Sequence, residues 1–357
     1  MGRLESPLQT ILKQRFYFLF EVLIIFIGIF LFMLIPSFLL PFLIDSKSVI
    51  FEPLYYLLRA VILIATIPLF LYLATLVMEK QRKKLILKED ISPSRNFLSL
   101  FKITKKNFKF QLLYGVLLLF LVFIPLDFFT YFFSPDMLSY TSVVLDPAGE
   151  FSLNSYFNEN YSIFLFSIII IPLCVAVYEE SLVRGFFTNR GSDYFNEMSA
   201  VIITSFFFGL GHFAYVFGGP SLGLPIIFPI IWFLQTFFVG IILAMVVLRK
   251  HWIFPAIFAH TLNNVISSHS IWNYINGQNF SVMTIFIYIP LLVIGIILFI
   301  WQFSRIKESL SIGFKEFKTY FERDKTIEES SSDAIIRILL DFLFGLIIFL
   351  IGLATVY

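Results

Sequence analysis

The chain has 357 residues, of which 59% are hydrophobic and only 14% charged, with a mean hydropathy of +0.88. That composition points to a polytopic helical membrane protein rather than a soluble one, and no nucleic-acid motif is present. The net charge of +2 is the sum of very unequal loops, and the single cysteine, Cys174, rules out an intrachain disulfide.

Nine apolar stretches are long enough to span a bilayer at roughly twenty residues each. They run at about 16–44, 54–78, 110–134, 162–187, 199–217, 225–248, 252–268, 282–303 and 336–357. The first is too long for a signal-peptide core and lacks a cleavage site, so it reads as a spanning helix, tilted or broken at Pro36 and Pro41. The seventh is short, with the least certain boundaries. Cys174 lies within an apolar run and reads as a small core residue.

The loops predict an orientation. Residues 79–109 hold ten Lys or Arg against three acids, including Arg82, Lys83 and Lys84. Arg3, Lys13 and Arg15 precede the first span, and Arg190, Arg249, Lys250 and the 304–330 segment place further cations on that side. The loops 45–53, 135–161, 218–224 and 269–281 together contain one cation, Lys47. Positive loops stay in the cytoplasm, so the N-terminus is expected inside and the C-terminus, after nine spans, outside. Ile306, Leu310, Ile312, Phe314, Phe317 and Phe321 predict an amphipathic helix along the interface within 304–330.

Charges within the spans receive structural readings. Arg59 and Asp127 lie at similar depth and are expected to pair. Arg337 and Asp341, four apart, are expected to pair locally, and Glu21 to reach cytoplasmic water.

Three short patterns carry chemistry. Glu179-Glu180-Ser181-Leu182-Val183-Arg184 is EExxxR, Phe208 to His212 is FxxxH, and His260 to Asn264 is HxxxN. Residues four apart share a helix face, so His260 points with Asn264, and Glu180 can pair with Arg184 while Glu179 faces elsewhere. Gly185, Gly209 and Gly211 would let neighbouring helices approach. Counted from the cytoplasmic ends of their spans, Glu179, His212 and His260 lie at a common depth of roughly 15–21 Å, so they can meet. His251 reads as interfacial, and His269 as an outer-loop residue with no partner.

A carboxylate beside histidines, shielded from bulk water, can activate a water as general base, and His260 with Asn264 can donate to a developing oxyanion. The fitting reaction class is amide hydrolysis. A zinc ion held by the two histidines, His212 and His260, with a glutamate and an asparagine around an open water position is a second arrangement, although Glu179 would then have to choose between ligand and base. Two rivals come from other classes. A proton-coupled transporter could use Glu179 and His212 as a relay, and a non-catalytic immunity or scaffold protein would use no chemistry. HxxxN favours the enzyme over the relay, because asparagine does not titrate.

The ordered trio on successive helices resembles the CPBP (Abi) family of intramembrane proteases, which includes the type II CAAX prenyl endopeptidases. The resemblance covers roughly 160–270 and implies an all-α transmembrane bundle with a protease core there. Around it would lie N-terminal helices over 1–159, with the basic loop 79–109, and C-terminal helices over 271–357, with the amphipathic segment 304–330. By that likeness Glu179 is the base that activates water, assisted by His212. His260 and Asn264 stabilise the oxyanion, and Glu180 and Arg184 support the site. The family is filed as metalloproteases, yet a metal-free glutamate mechanism is also proposed for it, so zinc stays open. The implied partners are membrane lipids and a membrane-associated protein or peptide substrate, CAAX-like or prenylated, with no nucleic acid. The implied location is a prokaryotic cell membrane.

Overall fold

A computed structural model describes residues 6–82, 97–145, 154–214, 225–325 and 327–356. Among these, the regular structure is entirely helical. The long elements are α1 (Pro7–Leu43), α2 (Phe51–Arg82), α3 (Phe108–Phe133), α4 (Asp136–Leu145), α5 (Tyr161–Tyr194), α6 (Glu197–Phe213), α7 (Ile227–Lys250), α8 (Phe254–Ile275), α9 (Phe280–Trp301), α10 (Phe303–Tyr320) and α11 (Ser331–Val356). Most of the basic loop, including Lys83 and Lys84, and the expected loop at 218–224 lie outside the described residues.

All nine expected spans fall on helices. Seven of these are long and apolar enough to cross a membrane, namely α1, α2, α3, α5, α7, α9 and α11. The other two, α6 and α8, fall short of that description: α6 has only 17 residues, and α8 carries Asn263, Asn264 and a run of serines. These two helices hold the histidine motifs, so the elements weakest as membrane spans are the ones that carry those polar patterns.

Local sequence explains the helix ends. Ser6 and Gln9 form a reciprocal capping box at α1, with Pro7 at the first helical position, where no N–H is required. Pro36 and Pro41 do not break α1, which continues as one helix through both. In an apolar surround an open break would leave further backbone groups unpaired, so continuity is favoured.

Several buried charges pair otherwise than their local sequence suggests. Glu21 does not reach water: it is fully buried on α1 and accepts from Arg190 Nε at 2.9 Å and Nη2 at 3.0 Å, and from Tyr194. Arg190 is therefore no loop cation. Arg15 is also buried, and its Nε donates to Asp341 at 2.9 Å. Arg337 meets Glu329 at 2.8 Å rather than Asp341. Tyr320, the last residue of α10, donates to Asp341 at 3.1 Å. Fully desolvated charges need partners, and the long-range pairs satisfy them while joining α1, α5, α10 and α11.

Candidate active site

The hydrogen-bond pattern of α5 changes at the first motif. A regular helix over Tyr161–Glu180 gives way to a π-helical stretch over Ser181–Thr188, and the α pattern resumes at Asn189–Tyr194. Such wide turns often occur at functional sites. Glu179 and Glu180 end the regular part, and Arg184 lies in the wide one. Gly185 and Gly209 stand at close approaches, since a Cβ would meet the Phe101 ring at 2.9 Å and the Phe233 ring at 3.0 Å. Gly211 does not serve packing: it has open space around it and lines a cavity.

The two glutamates differ in environment. Glu180 is fully buried, and its Oε1 accepts from Arg184 Nη1 at 3.0 Å and from His260 Nδ1 at 2.8 Å. The Arg184 guanidinium also stacks on the Phe208 ring at 4.1 Å, which joins the first motif to the second. Glu179 is 25% exposed, and its Oε2 lies 3.8 Å from His260 Nε2. That separation is too long for a direct hydrogen bond and short enough for one water to touch both.

Both site histidines direct Nε2 away from their structural partners. His212 Nδ1 donates to the Phe208 carbonyl at 3.1 Å, and His260 Nδ1 to Glu180. In each case the ring orientation is fixed by one nitrogen and the other is free for a ligand. His260 is stacked on Phe123 at 6.2 Å, and His212 meets Trp232 edge-on at 5.6 Å. Glu179, His212, His260 and Asn264 all line one cavity of about 710 Å³.

Sequence reasoning brought the six candidates together in this region, and the structure places Glu179, Glu180, Arg184 and His260 in direct succession, with His212 and Asn264 on the cavity wall. It missed Asn263, which is buried and meets Asp127. Asp127 does not pair with Arg59, whose guanidinium lies over the Tyr178 ring at 4.8 Å. Two adjacent asparagines in an apolar helix were the available signal for Asn263. His269 is within α8, not in a loop, and packs among Tyr161, Phe164 and Trp272. His251 ends α7 in a left-handed conformation, away from the site.

Among the described residues no three His, Cys, Asp or Glu side chains are arranged to hold a metal ion. Catalytic zinc takes three protein ligands, so His212 and His260 alone do not fit it in this arrangement. No step below is routed through a metal.

Residues 161–266 match the family described as type II CAAX prenyl endopeptidase Rce1-like, in agreement with the CPBP resemblance. The match begins with α5 and ends inside α8, so all six candidate residues lie within it. Neither the curated proteins nor the solved structures provide a match to the chain.

Proposed function

We propose that the protein is an intramembrane endopeptidase that hydrolyses peptide bonds of membrane-associated substrates with water activated at Glu179. The observation that carries this reading is the contrast between the two glutamates. Glu180 is paired with Arg184 and buried behind His260, while Glu179 faces the cavity with His260 Nε2 3.8 Å away. Glu179 takes a proton from water as its oxygen attacks the scissile carbonyl carbon, then delivers that proton to the departing amine nitrogen. General-base catalysis of this kind contributes about 10²–10⁴-fold.

His212 Nε2 accepts a hydrogen bond from the same water and orients it. His260 Nε2 and the Asn264 amide face the oxygen that becomes negative; one well-placed donor there is worth about 3–4 kcal/mol. His260 Nε2 donates to that oxygen while its Nδ1 donates to Glu180. Glu180 and Arg184 are positioning residues that hold His260 at its angle. The core over 160–270 works between N-terminal and C-terminal helices, and the substrate enters from the cytoplasmic side or laterally from lipid. The N-terminus is cytoplasmic in this reading.

The test is proteolysis by purified protein in liposomes against a library of membrane-tethered peptides. Wild type, Glu179→Ala and His260→Ala are compared with and without a chelator. Cleavage by wild type that both substitutions abolish, and that the chelator leaves unchanged, is the expected result. Loss under chelation would replace the metal-free route. No cleavage by folded wild type would favour the non-catalytic immunity or scaffold reading.

A further inference from the structure

The reaction proposed above consumes one water per turnover inside an apolar bundle, and one face of α8 bears on where that water comes from. His260, Asn263, Asn264, Ser267 and Ser268 all line the cavity that holds Glu179. Spaced at i, i+3, i+4, i+7 and i+8, they form one continuous helix face, polar at each of those positions. At about 1.5 Å per residue the face extends about 12 Å from His260 towards the helix end at Ile275. That end is the one far from α10: α8 starts just after the Lys250 end of α7, where Arg249 meets Glu316 of α10 at 3.5 Å. At the far end the cavity reaches Asn154, which accepts from Tyr56 in the first turns of α2 at 3.3 Å. Lys47, in the connection just before α2, marks the same face of the bundle.

The facing wall is polar as well. The Tyr131 hydroxyl of α3 lies 3.2 Å from Ser267 Oγ, Gln235 of α7 donates to Thr130, and Asp127 meets Asn263. Polar side chains that serve only to join helices find their partners across the interface. These do not all do so. Asn263 is 8% exposed, and its buried Oδ1 has no hydrogen-bond partner, nor has the buried Oδ2 of Asp127. Water satisfies such oxygens where they adjoin a roomy polar cavity, and ionisable groups inside a bundle face aqueous pathways. We infer that this face of α8 is a water path, which feeds the site from the face of the bundle opposite α10. Asp127, Asn263 and Ser267 hold successive waters along it, and the innermost water reaches Glu179 and His260. The inference rests on the hydrolytic reading and adds to it a supply of the nucleophile separate from the route of the peptide. A bound substrate then does not shut off the water that attacks it.

The experiment uses the full chain in a Cys174→Ala background, in sealed vesicles of each orientation, with a small membrane-impermeant thiosulfonate as the probe. Lys47→Cys and Lys315→Cys identify the two faces. Ser267→Cys is expected to react from the Lys47 face at least about tenfold faster than from the Lys315 face. Leu262→Cys, turned to the other side of α8, is expected to react from neither. The labelled Ser267→Cys protein is then assayed on membrane-tethered peptides, where kcat is expected to fall about tenfold with KM unchanged, because the nucleophile and not the peptide is obstructed. Ser268→Cys, on the same face, gives the same reading if Ser267→Cys does not fold. Reaction from the Lys315 face alone, equal reaction from both faces, or none from either overturns the inference. So does an adduct that raises KM and spares kcat, because that marks contact with the peptide. If no peptide is cleaved, the proteolytic reading fails by itself, while reaction from the Lys47 face alone still supports the path and any other pattern rejects it.

Discussion

Glu180 has no exposed side-chain surface and meets both Arg184 and His260, whereas Glu179 keeps a quarter of its side chain open to the cavity. The two should therefore respond differently to the same substitution. Glu179→Gln is expected to lower kcat by about 10²–10⁴-fold and leave the thermal midpoint nearly unchanged, because its one ionic contact, to His260 Nε2 at 3.8 Å, is long and partly exposed. Glu180→Gln strands the Arg184 charge and is expected to destabilise by about 3–5 kcal/mol as well as to slow the reaction. Thermal melts in detergent beside turnover rates separate the two; equal destabilisation would contradict the division of roles. At this scale the motifs were legible as a set, since spacing four apart predicted that Glu180 could pair with Arg184. The partner of His260 was not, because contact between α5 and α8 depends on how two helices pack.

Among the elements, α5 is tied at its far end by Arg190 and Tyr194 to Glu21 of α1, and α11 is tied to α1 through Arg15 and Asp341. Glu21→Gln removes the acid that Arg190 is buried against, so it is expected to destabilise by about 3–5 kcal/mol. Faster proteolytic nicking in α1 would accompany the loss, and an unchanged melt would show that Arg190 finds another partner. Close approach matters as well. At Gly345 of α11 a Cβ would meet the Ile203 carbonyl oxygen of α6 at 2.9 Å, so Gly345→Val has to push the helices apart. Its expected penalty is about 1–3 kcal/mol, read from the same melts. Periodicity and capping residues reveal that these helices exist, but which of them touch is absent from any local window. That is why Glu21 was assigned to water when it belongs to Arg190, a distant partner, whereas Arg337 turns from Asp341 to Glu329 in the segment just before α11.

At the scale of the molecule, seven helices among the described residues carry the apolar length to cross a membrane, and α6 and α8 hold the histidines of the proposed site. The amphipathic α10 exposes Leu310, Phe314, Phe317 and Phe321 on one face, spaced for burial in an interface, while Arg249 anchors its other side through Glu316 at 3.5 Å. In a Cys174→Ala background, a cysteine at Lys315 is expected to react with an impermeant thiol reagent from the cytoplasmic side. One at Lys47 should react only from the outer side. Labelling of both from one side would overturn the N-inside orientation. The charge asymmetry behind it is weaker than a simple count implies, because Arg15 and Arg190 are buried in ion pairs rather than free in loops.

The sequence by itself determined the class of molecule and singled out the candidate residues of the proposed site. Apolar runs set the helices, and costly polar groups inside them stand out wherever they occur. Only the tertiary structure decided the partners: which glutamate is buried and which faces the cavity, that Asp127 meets Asn263 while Arg59 lies over the Tyr178 ring, and that Arg15 and Arg190 staple distant helices. Those outcomes depend on the relative positions of helices far apart in the chain, and a desolvated charge pairs with whatever packing brings to it.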